Sequence, residues 1–190
     1  MLKDLVIKNR SYRRFEQVTA MSLETLKELV DTARLCASGS NSQPLKYILS
    51  CEPQKNALIF QTLAWARLIE GWGGPKEGER PAGYIVILHD KKIASAVVVD
   101  HGIAAQTILL AATEKGLGGC MLGAIKKDDL RKALKIPENL EIVLVIALGK
   151  PGERVVLETV GADGSTKYWR DQQSAHHVPK RALKDIIVDY

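Results

Sequence analysis

The sequence predicts a single soluble domain that mixes helices and strands, and three observations lead there. The first is size: 190 residues, 46% hydrophobic and 26% charged, make one ordinary globular unit that can bury its apolar surface without disulfide or metal staples. The second is a pair of continuous apolar runs, residues 84–88 and 142–148, with the length and β-branched content of strands covered on both faces. The third is a set of apolar residues recurring at helical spacing between Ser, Pro and Gly signals for helix starts and stops.

Taken in order, Leu2, Leu5 and Val6 place a short first helix ending near Asn9. Ser22 caps a second, with Glu24 favourable to its dipole; Leu23, Leu26, Val30, Ala33 and Ala37 predict a one-sided helix running through to Gly39. Residues 46–51 read as a strand. Pro53 opens a third helix with Ala57, Leu58, Gln61, Ala64 and Leu68 on one face. Residues 71–83 hold five glycines and two prolines and predict a mobile surface loop. The run at 84–88 is expected to be a central strand. From Asp100 to Lys115 the pattern is apolar nearly all round, with Gly116 as the C-cap candidate, which predicts a buried helix. A glycine-rich apolar segment at 118–125, a helix at 127–134 stopped before Pro137, and the strand at 142–148 follow. Residues 150–190 hold only one late apolar run, 183–188, too little for an independent core, so they are expected either to fray or to lie across something else, where the late run could add a strand to another sheet.

Charge narrows the function. With 27 Lys+Arg against 22 Asp+Glu the net charge is +5, and the pI near 9.1 raises a nucleic-acid reading. The basic residues are dispersed, however, and the cluster at 126–131 carries its own Asp128 and Asp129. The clusters at 8–14 and 180–184 contain no acid and could be two halves of one anion site. No nucleic-acid partner is expected. The longest apolar stretch, 102–112, is broken by Gln106 and Thr107 and falls short of the roughly 18 residues of a membrane span, so no membrane partner is expected either. Cys36, Cys51 and Cys120 are odd in number and lack C-x-x-C spacing; together with an N-terminus unlike a secretory signal, this predicts a reducing cytoplasm and no zinc. His176-His177 has no cysteine or carboxylate at ligand spacing, and no metal is expected there.

Two stretches carry chemistry. Arg10-Ser11-Tyr12-Arg13-Arg14 supplies guanidinium forks suited to a phosphate or an anionic ring, and it could equally be a solvated basic turn. Residues 37–44, Ala-Ser-Gly-Ser-Asn-Ser-Gln-Pro, allow close backbone approach and offer hydroxyls and amides to a planar polar ligand, or form no more than a polar loop.

In order and spacing these stretches resemble the FMN-dependent nitroreductase family. The matching elements are Arg10-Ser11-Tyr12-Arg13, then Ser38-Gly39-Ser40-Asn41-Ser42-Gln43-Pro44 about 25 residues later. Next come Gly116-Leu117-Gly118-Gly119-Cys120-Met121-Leu122-Gly123 after the buried helix, Gly149-Lys150-Pro151 after an apolar strand, and a basic residue at Lys180 or Arg181. Each is weak alone; together they cover essentially the whole chain.

The resemblance implies an α+β fold, with a mixed, mostly antiparallel central sheet wrapped by helices, over a single domain of residues 1–190. It implies a homodimer with two FMN sites at the interface and a C-terminal extension, 150–190, that crosses to the partner subunit. Arg10 and Arg181 would be the phosphate ligands, with Lys180 a weaker candidate. Ser11 and Arg13 would face the flavin's pyrimidine edge, where positive charge stabilises the anionic reduced ring. Ala37, Ser38, Gly39 and Asn41 would contact the flavin or its ribityl chain from the other subunit. Met121, Leu122 and Gly123 would lie along the ring, the N–H near Gly123 donating to N5. The implied activity is ping-pong transfer of hydride from NADH or NADPH through N5 to nitroaromatic, quinone or similar small-molecule acceptors. No catalytic side chain is then required. Relatives of the same fold that dehydrogenate, dehalogenate or fragment the flavin give an alternative chemistry, and a non-catalytic basic binding module is a more distant one. Trp65 is expected in the core, Trp72 over the flavin, and Cys120 as a packing residue.

Overall fold

A computed structural model of the chain describes residues 1–66 and 68–188. Its centre is a four-stranded antiparallel sheet in the order β1 (Leu45–Ser50), β2 (Gly83–Asp90), β4 (Leu140–Gly149), β3 (Gly118–Leu122). The expected central strand is β2, and its continuous apolar run is explained by cover on both sides. Ile85 and Ile87 pack with Leu26 and Leu29 of α2 (Leu23–Ala33) and Ile108 of α4 (Asp100–Glu114). Tyr84, Val86 and Leu88 point the other way, towards Ile59 of α3 (Pro53–Phe60) and Leu130 of α5 (Lys127–Leu134). Alternate residues of one strand thus serve two cores. A short α1 (Leu2–Lys8) buries none of its residues and lies against α4.

The local signals at helix starts act as the sequence suggests. The Thr25 N–H donates to Ser22 Oγ at 3.0 Å, and Pro53 occupies the first turn of α3. Helix ends depart further from expectation. The second helix stops at Ala33 and does not reach Gly39: the bonding tightens to three-residue turns, the Leu35 N–H donating to the Thr32 carbonyl at 3.3 Å and the Cys36 N–H to the Ala33 carbonyl at 3.1 Å, and further on Ser40, Asn41 and Gln43 take φ of +50°, +53° and +50°, values a helix cannot contain. The third stops at Phe60, where Thr62 Oγ1 donates to the Ile59 carbonyl at 2.7 Å and Leu63 bridges to Ile125. Ala64 and Leu68 therefore lie off that helix. Gly116 follows α4 at φ +73°, as its capping role requires.

The tail differs most. Residues 150–190 were expected to carry no core beyond the late run, yet they form a second sheet in the order β5 (Val155–Thr159), β7 (His176–Lys180), β6 (Trp169–Arg170). Its strands are short, and the longest apolar run among them, Val155-Val156-Leu157, is only three residues, too brief to announce a strand. The β5–β7 pairing is parallel, as is a bridge between Ser11 and Gly119; these are the parallel components of an otherwise antiparallel protein. The late run adds no strand to either sheet of this chain: Leu183–Asp185 is a 3-10 turn, and Leu183, Ile186, Ile187 and Val188 are exposed. No helix among the described residues is long and apolar enough to cross a membrane.

Candidate functional site

A cavity of about 480 Å³ opens where the segment after α1 meets β3 and the tail. Arg10, Ser11 and Arg13 reach it because the Tyr12 N–H donates to the Gly119 carbonyl at 3.0 Å, fastening this segment to the free edge of β3. Met121 comes from β3, and His176 and Lys180 from β7. The wall contains three cationic side chains and no carboxylate. Arg10 Nη2 donates to the Val6 carbonyl at 2.5 Å, but its buried Nε has no protein partner. Arg13 lies 5.0 Å from the Tyr168 ring centroid.

His176 settles the electrostatics of this wall. It is only 1% exposed, and burial, followed by the positive charge of Arg13, pushes its pKa down to about 4. The neutral ring sits with Nε2 3.3 Å from Arg13 Nη1, which donates to it. His177 behaves oppositely: hydrogen bonds donated by its ring to Asp171 at 3.1 Å and Glu158 at 2.5 Å raise its pKa. Two carboxylates thus reach His177 in space. No group of three or more His, Cys, Asp or Glu side chains that could hold a metal occurs among the described residues.

One buried carboxylate ties the tail to the arginine segment. Glu153 Oε1 accepts from the backbone N–H groups of Arg13, at 2.5 Å, and Arg14, at 3.1 Å, while Oε2 pairs with Arg170 at 2.9 Å. The Glu153 and Arg170 side chains are 2% and 10% exposed. Arg170 in turn lies 4.3 Å from the Trp72 ring centroid, so Trp72 packs under the tail. Trp65 is buried in the second core, and Cys120 is buried with its thiol pKa raised by desolvation, as a packing residue should be.

A smaller cavity of about 230 Å³ shares Arg13, Met121 and Tyr168 with the first and adds Leu122 and Gly123. Arg10, Ser11, Arg13, Met121, Leu122, Gly123 and Lys180 therefore line a groove made of two adjoining cavities that share Arg13, Met121 and Tyr168. Arg181 is exposed and outside its wall. Ala37 and Ser38 line a separate cavity of about 250 Å³ with Asp100, and Gly39 and Asn41 lie on the adjoining loop. Tyr168 and Glu153 escape the sequence reading, Asp100 enters it only as a helix start, and His176 only as half of a histidine pair weighed for metal. They stand alone in unremarkable stretches, and only the fold brings them to the motifs.

The Nitroreductase family profile matches residues 6–150. A provisionally named NADH dehydrogenase/NAD(P)H nitroreductase of Archaeoglobus fulgidus is 26% identical over 139 residues, covering 69% of this chain and 75% of its own. Among solved structures, a nitroreductase family protein of Streptococcus pneumoniae superposes with TM-score 0.74 at 16% identity over 100% of both chains. A provisionally named nitroreductase of Exiguobacterium sibiricum in complex with FMN does so with TM-score 0.68 at 15% identity, over 80% of this chain and 89% of its own.

Proposed function

The chain belongs to the nitroreductase family, and on that premise we propose that it is an FMN-dependent oxidoreductase carrying electrons from NADH or NADPH to a nitroaromatic, quinone or similar small acceptor. The observation that carries this reading is the cavity wall in which Arg10, Arg13 and Lys180 converge without a carboxylate. Such a site suits a phosphorylated, partly anionic cofactor, and the unpartnered Arg10 Nε is a donor in want of an acceptor.

FMN, when bound, supplies the two-electron chemistry. The side chains supply the rest. Arg10 and Lys180 hold the phosphate; the exposed Arg181 takes a lesser part. Arg13, fixed by Tyr168 and the neutral His176, keeps its positive charge at the pyrimidine edge with Ser11 beside it, and so favours the reduced state. Met121, Leu122 and Gly123 border the ring. Gly123 leaves the approach open, since a Cβ there would meet nothing within 4 Å.

Ala37, Ser38, Gly39 and Asn41 lie apart from this groove, which supports their serving the cofactor of a second copy in a homodimer. Exposed apolar residues on α1 (Leu2, Val6, Ile7) and at the start of α4 (Val99, Ile103) offer that copy a surface. Within the tail, β5 and β7 pair with each other as far as Lys180, and the exposed apolar residues beyond, Leu183, Ile186, Ile187 and Val188, support an extension that crosses to the partner. Purified protein should be yellow, and NADH or NADPH should bleach it without oxygen. A colourless protein that takes up no added FMN overturns the proposal.

A further inference from the structure

The loop from Ser38 to Gln43 has an unusual backbone. Ser40, Asn41 and Gln43, none of them glycine, all have φ near +50°, a conformation L side chains adopt at a cost. Such a cluster persists only where surrounding contacts over-determine it. The loop's own bonds are local: the Asn41 N–H donates to the Ser38 carbonyl at 2.9 Å, and Gln43 Nε2 donates to the Asn41 carbonyl at 3.3 Å. Its tie to the rest of the fold comes from the first turn of α4. Asp100, 8% exposed, accepts from the Gly39 N–H at 3.1 Å. The Ser38 hydroxyl beside the carboxylate is the largest stabiliser of its charge, with the Gly39 N–H also holding its pKa below the usual carboxylate range. Ser38 Oγ also accepts from the Gln43 N–H at 2.9 Å, joining Asp100 to the far end of the loop.

We propose that Asp100 is the positioning residue of this loop: acting through the Gly39 N–H and the Ser38 hydroxyl, it holds Asn41 and Gln43 in the left-handed backbone that fits them to contact FMN. The proposal rests on the flavin reading above. It also reassigns Ser38: the serine hydroxyl is engaged within the protein, so its service to the cofactor is to lock the loop.

The test combines hydrogen exchange with FMN titration of the full-length protein, for the wild type and for Asp100→Ala, Asp100→Asn, Ser38→Ala and the Ser38→Ala/Asp100→Ala pair. Loss of a charge-assisted bond should speed amide exchange of residues 39–43 by on the order of tenfold or more in Asp100→Ala, leaving α4 beyond its first turn unchanged. FMN affinity should fall by a similar factor. Asp100→Asn, which keeps one acceptor oxygen, should lie between, and the double variant should be no weaker than Asp100→Ala alone. Unchanged loop exchange, additive losses in the pair, or faster exchange along the whole of α4 would overturn the proposal. A wild-type protein that takes up no FMN would instead overturn the flavin reading, and the exchange data would still decide whether Asp100 orders the loop.

Discussion

Replacing Glu153 with alanine is the sharpest test of how the tail is held. The substitution removes a carboxylate with one ion pair and two backbone N–H donors, and leaves the Arg170 guanidinium buried without its counter-charge. Removing one partner of a buried pair costs about 3–5 kcal/mol, a large part of the ~5–15 kcal/mol total stability of a domain. At roughly 2–4 °C per kcal/mol for a chain of this size, the melting temperature should fall by about 6–20 °C. Glu153→Gln keeps the shape and one acceptor oxygen, so it should lose less, about 1.5–3 kcal/mol. Urea denaturation followed by circular dichroism, at fixed protein concentration and with FMN in excess, measures both. If Glu153→Ala lost under about 1 kcal/mol, the range of an exposed pair, the argument that this carboxylate anchors the tail would be wrong.

Four further outcomes are expected. His176 has a folded pKa of about 4 against 6.5 unfolded, so its contribution is complete above pH 6.5 and is lost as pH falls towards 4, by up to about 3 kcal/mol; a His176→Gln variant should flatten that limb of the stability–pH curve. His177, whose pKa is raised, should give the opposite slope, its contribution fading as pH rises through its folded value. Gly119→Ala would put a Cβ 2.5 Å from the Ala147 carbonyl oxygen, so thermal unfolding should report a loss of about 1–3 kcal/mol or more. For FMN retention, measured by fluorescence titration, Arg10→Ala and Lys180→Ala should each cost roughly 1.5–3 kcal/mol while Arg181→Ala costs little, in keeping with their places in and out of the cavity wall.

Much of the fold was legible because its signals are local. Ser22, Pro53 and Gly116 mark helix ends through hydrogen bonds and backbone angles set within a few residues, and the apolar run of β2 announces a strand covered on both faces. The second helix is shorter than its spacing predicts: Ala37 continues the spacing of Ala33, but the chain tightens into three-residue turns after Ala33, and the loop beyond is tied at Gly39 to Asp100, some sixty positions away. The second sheet was missed for a related reason. Val155-Val156-Leu157 is a run of only three apolar residues and Val178 stands alone, and their pairing is parallel and non-local. In the site, the motif arginines could be read because their chemistry is carried by residue type. His176 and Glu153 could not, since their importance comes from what the fold places beside them.

The groove has two kinds of wall. One is the edge of β3, where Met121 and Leu122 stand opposite Ile146 and Val145 and cannot change without disturbing the central ladder. The other is Tyr168, carried at the end of the exposed stretch 161–167 and braced by its contacts with Arg13 and His176. Insertions and substitutions in that stretch reshape the groove while leaving the ladder intact. On the flavin reading proposed above, this arrangement would separate durability from selectivity: the sheet edge would keep the cofactor chemistry constant, and a short surface segment would be the part that selection or a designer can retune for a new acceptor.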